Sequence, residues 1–247
     1  MLHSLSKAQL CLIFSLLFYS FLGFSASSSD ANAPPHKKMK VEEERPRLAV
    51  FLDLDECLIY ATRSDQEREL LKKNGNEYFQ ITFPRGRKEK KYTVFLRPGV
   101  REFIEKCTNQ FDTYIFTAST EVYAKAITDQ LDPAKKIKRI FSRNSCLTIH
   151  THGKTFYFKD LNTVAIEQPI QRKVLVDNSV ISFKNNISNG ILITSWKGEQ
   201  TTTKKFNTLL EVLSILSRQK DVRDLLGLFD LQERYIHFVN SLGLPPS

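Results

Sequence analysis

The sequence lacks the usual signatures of zinc and nucleotide sites. It has no Cys/His cluster at zinc spacing, no GxGxxG and no P-loop, and no internal repeat. These absences set aside a zinc module, a P-loop or dinucleotide site and a repeat array. Cysteine is scarce: Cys11 lies in an apolar N-terminal run, leaving Cys57, Cys107 and Cys146 as an odd, scattered set. Such a set argues for a reducing compartment and against a disulfide scaffold. Acidic charge is also short, with 27 Asp and Glu against 36 Lys and Arg and a net charge of +9. The excess favours acidic partners, whether nucleic acid, phosphorylated protein or anionic membrane, without choosing among them. What is present is 247 residues at 41% hydrophobic, enough for one domain with a core plus tails.

Residues 1–29 carry Lys7, an apolar run from Leu10 to Phe24 and then small residues around Gly23, Ser25 and Ala26. That is the layout of a signal peptide or, uncleaved, a signal-anchor. The run is short beside the roughly 20 apolar residues of a membrane span. Residues 30–47 read as a disordered linker, with Pro34 and Pro35 followed by basic and then acidic residues. The patch "KKMK" (37–40) resembles a nuclear-localisation signal. The positive-inside rule explains it better, and places an uncleaved chain with its domain in the cytosol.

From residue 48 the pattern changes. "RLAVFLD", "DTYIFTAST", "KVLVDNS" and "GILITSW" are short apolar runs that read as buried parallel strands. Between them "YTVFLRPGVREFIEKC" reads as a strand followed by a helix opened at Pro98, and "EVYAKAITDQL" as a helix with Val122, Ala126 and Ile127 at helical spacing. A helical tail is expected from Phe206 to about Asn240, with Leu209, Leu210, Leu213 and Leu216 in one packing stripe. Alternating strands and helices predict an α/β fold with a central parallel sheet, whose ligands bind at the carboxyl ends of the strands. Three of the strands end in Asp53, Thr117 and Asp177, so the carboxylates that interrupt "AVFLDLDECLIY" belong to the rim of a site. Asp53 and Asp55 with Asp177 and Asn178 form an all-oxygen set. Hard oxygen ligands suit Mg²⁺, and Mg²⁺ with carboxylates and a lysine is the apparatus of phosphoryl transfer.

"FLDLDECL", "LRPGVREFIEKC", "YIFTASTEVYAKAITDQLDP", "FSRNSC", "FYFKDLN" and "VLVDNS" occur in that order. Together they resemble the catalytic domain of haloacid dehalogenase-type protein phosphatases. The branch is the one that dephosphorylates the C-terminal domain of RNA polymerase II, which includes the small CTD phosphatases and the membrane-anchored Dullard phosphatases. The resemblance spans about Leu48 to Leu216. It implies a Rossmann-like three-layer sandwich with a small hairpin insertion, bounded here as residues 48–217 with a C-terminal helical extension at 218–247. It also implies roles: Asp53 as the nucleophile that becomes an aspartyl phosphate, Asp55 as general acid and base, Thr117 and Ser119 as phosphate-binding hydroxyls, and Lys159 as the cation that steadies nucleophile and phosphate. Asp177 and Asn178 match the acidic metal motif, so the implied Mg²⁺ set is Asp53, Asp55 (through its main-chain carbonyl), Asp177 and Asn178. Two positions depart from the family pattern: Cys57, where Thr or Val is usual, and Val180, where Pro often follows "DNS".

Residues 63–91 are too few for a closing cap. They are expected to form a charged helix and a hairpin turning near Pro84 to Gly86, leaving a site open to a phosphorylated protein segment. Arg85, Arg87, Lys88, Lys90 and Lys91 on that hairpin suit an acidic substrate, and equally suit a merely solvated loop. The reading is a Mg²⁺-dependent protein serine/threonine phosphatase, monomeric, without direct nucleic-acid contact. Its membrane tether would be residues 10–24, at the endoplasmic reticulum or nuclear envelope with the domain facing the cytosol. The nucleus, the mitochondrial inner membrane and the secretory lumen are the other compartments. A rival reading is a non-catalytic receptor like the subunit of the mitochondrial inner-membrane translocase that carries the same domain. The sequon at Asn186-Ile187-Ser188 would be usable only in a lumen.

Overall fold

The computed structural model describes residues 45–85, 88–151, 153–199 and 202–227. The expected signal peptide or anchor, most of the linker, the lysine patch, Arg87 and the tail beyond residue 227 lie outside the described residues. Among the described residues no helix is long and apolar enough to cross a membrane.

The centre is a five-stranded, all-parallel sheet whose strands lie in the order Gly190–Leu192, Lys173–Asp177, Ala49–Leu52, Asp112–Phe116, Arg139–Phe141. Its strands are β1 (Ala49–Leu52), β5 (Asp112–Phe116), β6 (Arg139–Phe141), β9 (Lys173–Asp177) and β10 (Gly190–Leu192). The four expected core strands are present, although "GILITSW" pairs only over its first three residues, and β6 is an addition. Every residue of β1 is fully buried, because both faces of the sheet are covered. Val50 and Leu52 join one core with the helices α2 (Val100–Gln110), α3 (Glu121–Leu131) and α4 (Lys204–Ser217). Ala49 and Phe51 join a second core with Phe116, Phe141, Leu161 and Phe183, where loops and short 3₁₀ turns form the covering layer. Each such buried Val, Leu or Phe side chain contributes roughly 1.5–3 kcal/mol.

The chain winds outward from β1 through β5 to β6, then crosses back to β9 on the other side of β1. The β1/β9 boundary is therefore the topological switch point, where such sheets bind ligands. Residues 59–96 form a separate antiparallel arm, β2 (Ile59–Thr62), α1 (Asp65–Lys73), β3 (Tyr78–Arg85) and β4 (Lys88–Leu96). This is the expected helix and hairpin, with Arg85 paired to Lys88 at its end. Ser64 caps α1 by accepting from the Glu67 N–H. A second hairpin joins β7 (Leu147–Thr151) to β8 (Lys154–Phe158).

Several local expectations change. The helix expected to open at Pro98 begins at Val100, after Gly99 in the left-handed region at φ 84°. Gly99 is required there twice over: a Cβ would also sit 2.9 Å from Thr203 Cγ2. Val122 is 65% exposed, and the buried face of α3 is Ala124, Ile127, Thr128 and Leu131. The tail helix stops at Ser217 and a short helix α5 follows (Arg223–Leu226). The stop has a cause: the buried Arg172 guanidinium donates to the carbonyls of Leu216, Ser217 and Gln219 and so caps α4. Asn186 of the sequon is buried and accepts the Leu161 N–H at 2.7 Å, so the folded domain has no glycan acceptor there.

Candidate active site

The carboxyl ends of β1, β5 and β9 bring the expected polar residues to one edge. Asp53 follows β1, and its N–H continues the ladder by donating to Val176 O at 3.0 Å. Asp177 ends β9. Lys159 follows β8 and comes in beneath them, only 2% exposed. Its Nζ lies 2.5 Å from Asp53 Oδ1 and 2.5 Å from Asp177 Oδ2. The two carboxylates thus share one buried cation, and these oxygens are no farther apart than twice that distance.

This cluster is electrostatically unbalanced. Two anions face one cation in a site nearly closed to water, where isolated charge is costly. Burial is the main force on Asp53. It is opposed by Lys159 and reinforced by Asp177, and the carboxyl is pushed up to about 7. Burial alone would discharge Lys159, but the Asp177 and Asp53 carboxylates outweigh it and hold the ammonium above its ordinary range. Lys159 therefore stays charged, and Asp53 is the member whose charge the site supports least.

Asp55 is half-buried and is held by two hydroxyls. Ser119 Oγ donates to its Oδ2 at 2.7 Å and Tyr123 OH donates to its Oδ1 at 2.5 Å. Thr117 is buried at the end of β5. Its N–H donates to Phe141 O at 2.9 Å, and its Oγ1 accepts the Ser119 N–H at 3.1 Å. Asp177 uses its second oxygen to accept the Ser179 N–H, an Asx turn that fixes the loop after β9. Asn178 Nδ2 donates to Ser195 Oγ at 2.9 Å.

Glu56 takes the turn out of the site at φ 58°, and its carbonyl accepts the Trp196 N–H at 2.8 Å. Cys57, at the departure from the family pattern, is fully buried, and burial drives its thiol well above the ordinary value, so it is no reactive thiol. Its carbonyl accepts from the buried Arg97 guanidinium at 2.8 Å.

A Mg²⁺ ion fits the donor set. Mg²⁺ takes one or two carboxylates and completes its shell with water and substrate oxygens, and Asp53 and Asp177 supply two, each with one oxygen already on Lys159. Among the described residues no group of three or more His, Cys, Asp or Glu side chains is arranged to hold a metal. The Asp55 side chain belongs to the hydroxyl pair rather than to this set.

Sequence reasoning missed Tyr123. It stands in the first turn of α3, seven residues after the end of β5, and only the return of that helix toward the β1 loop makes it a partner of Asp55. The nearest signal was its place in "TASTEVYAK", directly downstream of the two expected phosphate-binding hydroxyls.

Residues 48–223 match the family model described as NLI interacting factor-like phosphatase. The chain is 32% identical over 209 residues to CTD small phosphatase-like protein 2 of Dictyostelium discoideum, covering 83% of this chain and 34% of that one. It is 32% identical to CTD nuclear envelope phosphatase 1B of Danio rerio, covering 73% and 71%. The chain thus spans about a third of the first relative and most of the second. A solved structure of Fcp1, titled an essential RNA polymerase II CTD phosphatase, aligns at 19% identity and a TM-score of 0.48 over 79% of this chain and 64% of that one. The family model spans the sheet, the hairpin arm and every residue of the site just described, and on that match the chain belongs to the NLI interacting factor-like phosphatase family.

Proposed function

We propose that this protein is a Mg²⁺-dependent protein serine/threonine phosphatase that works through an aspartyl phosphate on Asp53. The observation that carries the reading is the buried Lys159 held between Asp53 and Asp177 at the switch point of the sheet. A structural ion pair has little reason to leave an unbalanced carboxylate at a ligand-binding edge, whereas a phosphoryl-transfer site needs a nucleophile and a fixed cation there.

In this reading Asp53 attacks phosphorus and Lys159 holds both the nucleophile and the negative charge of the transferring group. Asp55 gives its proton to the departing alcohol and then takes one from the water that hydrolyses the acyl phosphate. Thr117 and Ser119 offer hydroxyls to the phosphoryl oxygens. Asp53, Asp177, the Asn178 amide oxygen and the Asp55 main-chain carbonyl would hold Mg²⁺. When bound, that ion neutralises charge on the phosphate and favours the ionised form of Asp53.

The proposed substrate is a phosphorylated protein segment, with the RNA polymerase II C-terminal domain as one candidate. The hairpin arm supports it, because one nine-residue helix and three strands do not make a closing cap. The relatives named as nuclear envelope phosphatases support a site of action at the nuclear envelope. No observation favours the receptor reading. The test is release of phosphate from p-nitrophenyl phosphate and from a phosphoserine peptide, with Mg²⁺ and with chelator, beside Asp53→Asn. Turnover that needs Mg²⁺ and is lost in Asp53→Asn supports the proposal; a folded protein without turnover on either substrate sinks it.

A further inference from the structure

Two hydroxyls grip Asp55, one on each oxygen: Ser119 from the loop after β5 and Tyr123 from the first turn of α3. A carboxyl group otherwise turns easily about its Cβ–Cγ bond, where the torsion is broad. Holding both oxygens removes that freedom. A carboxylate offers about four lone-pair sites, so two remain for substrate and water.

The Tyr123 side of the grip is itself braced. Its ring meets Tyr92 edge-on at a centroid separation of 5.6 Å and Phe83 at 6.3 Å, both from the hairpin arm. Burial, and then the Asp55 charge, keep its phenol far from ionising, so it remains a donor at neutral pH. Ser119, on the other oxygen, is anchored by its N–H to Thr117 at the end of β5.

We propose that Tyr123 is a positioning residue for proton transfer to the leaving alcohol, locking the Asp55 carboxyl in the one rotation that delivers its proton. This rests on the phosphatase reading above. In the first step a bond forms between an Asp53 oxygen and phosphorus as the phosphorus–ester oxygen bond breaks. The electron pair stays on the ester oxygen, which takes the Asp55 proton and leaves as the alcohol. In the second step water oxygen bonds to phosphorus, the Asp53–phosphorus bond breaks, Asp55 regains a proton from that water and inorganic phosphate departs. A serine alkoxide is a poor leaving group and needs the proton as its bond breaks. p-Nitrophenolate leaves without one.

That difference separates positioning from packing. The test measures kcat/KM, which reports the chemistry up to alcohol release, for the full 247-residue chain with Mg²⁺ on a phosphoserine peptide and on p-nitrophenyl phosphate. Tyr123→Phe keeps the ring and its braces and removes only the hydroxyl. The expected result is a loss on the phosphoserine peptide exceeding the loss on the aryl ester by about tenfold or more, since general acid catalysis is worth about 10²–10⁴-fold in all. Tyr123→Met, checked by thermal unfolding, should show the same leaving-group bias if the Phe variant folds poorly. Equal losses on both esters, or none on either, overturn the inference. No turnover by the unchanged protein would instead remove the phosphatase reading, and the inference with it.

Discussion

At the scale of single residues the site is a balance of charges in a dry place, and Asp53 tests it. Its folded carboxyl lies near 7 against an ordinary 3.8, so between those pH values the folded state holds a proton that the unfolded chain has released. That contribution to stability is whole below the ordinary value and is lost as pH rises through about 7. Asp53→Asn cannot ionise. In the presence of chelator it should unfold at a higher temperature than the natural chain at pH 8, with a smaller gap at pH 5. Melting curves at the two pH values would show this, and a gap that shrinks on going to pH 8 would contradict it. In activity the same substitution should cost about a thousandfold or more, as loss of a nucleophile does. Lys159→Met leaves two buried carboxylates without their cation, and should destabilise the metal-free protein at pH 8 by about 3–5 kcal/mol, read by denaturant titration. Cys57 is expected to resist alkylation in the native protein at neutral pH, since its thiol is both buried and hard to ionise.

At the scale of elements, what could be read in the sequence followed from periodicity and from strand ends. The runs around Phe51, Ile115 and Leu175 are apolar on both faces, so they announced buried strands, and their terminal Asp53, Thr117 and Asp177 announced a rim. The limits of elements depended on partners distant in sequence. β6 is three residues long and exists because Ile140 lies beside Ile115. The end of α4 was hidden because its cap, Arg172, is contributed from the entry to β9. Arg172→Ala should therefore lower stability by about 2–3 kcal/mol, since the lost bonds are charge-assisted and the Leu216 carbonyl stays buried. Urea unfolding would measure it, and a change below about 0.5 kcal/mol would mean that the cap does not matter. Val122 misled for a related reason: its spacing is helical, but the face that meets the sheet is set by the neighbours of α3.

For the whole molecule, sheet, arm and site fit the proposed reading of a phosphatase without a closing cap. Four of the six motifs carry the residues that the fold brings to the carboxyl edge of the sheet: Asp53 and Asp55, Thr117 and Ser119, Lys159, and Asp177 with Asn178. The grip on Asp55 was not legible, since it depends on how α3 and the hairpin arm close over the β1 loop. If the arm guides an acidic phosphopeptide, Lys90→Glu with Lys91→Glu should raise KM for that peptide severalfold at low salt and leave p-nitrophenyl phosphate unaffected. The effect should fade as ionic strength shortens the screening length below about 10 Å, and its absence would make the lysines a solvated face.

The most direct measurement of the central claim is to trap the covalent state. The natural chain would be mixed with Mg²⁺ and a phosphopeptide, quenched in acid during turnover, digested and mapped by mass spectrometry. The expected result is a hydroxylamine-labile phosphoryl group on Asp53 that is absent from Asp53→Asn. Steady phosphate release with no adduct at Asp53, or an adduct on another residue, would contradict the account of this site.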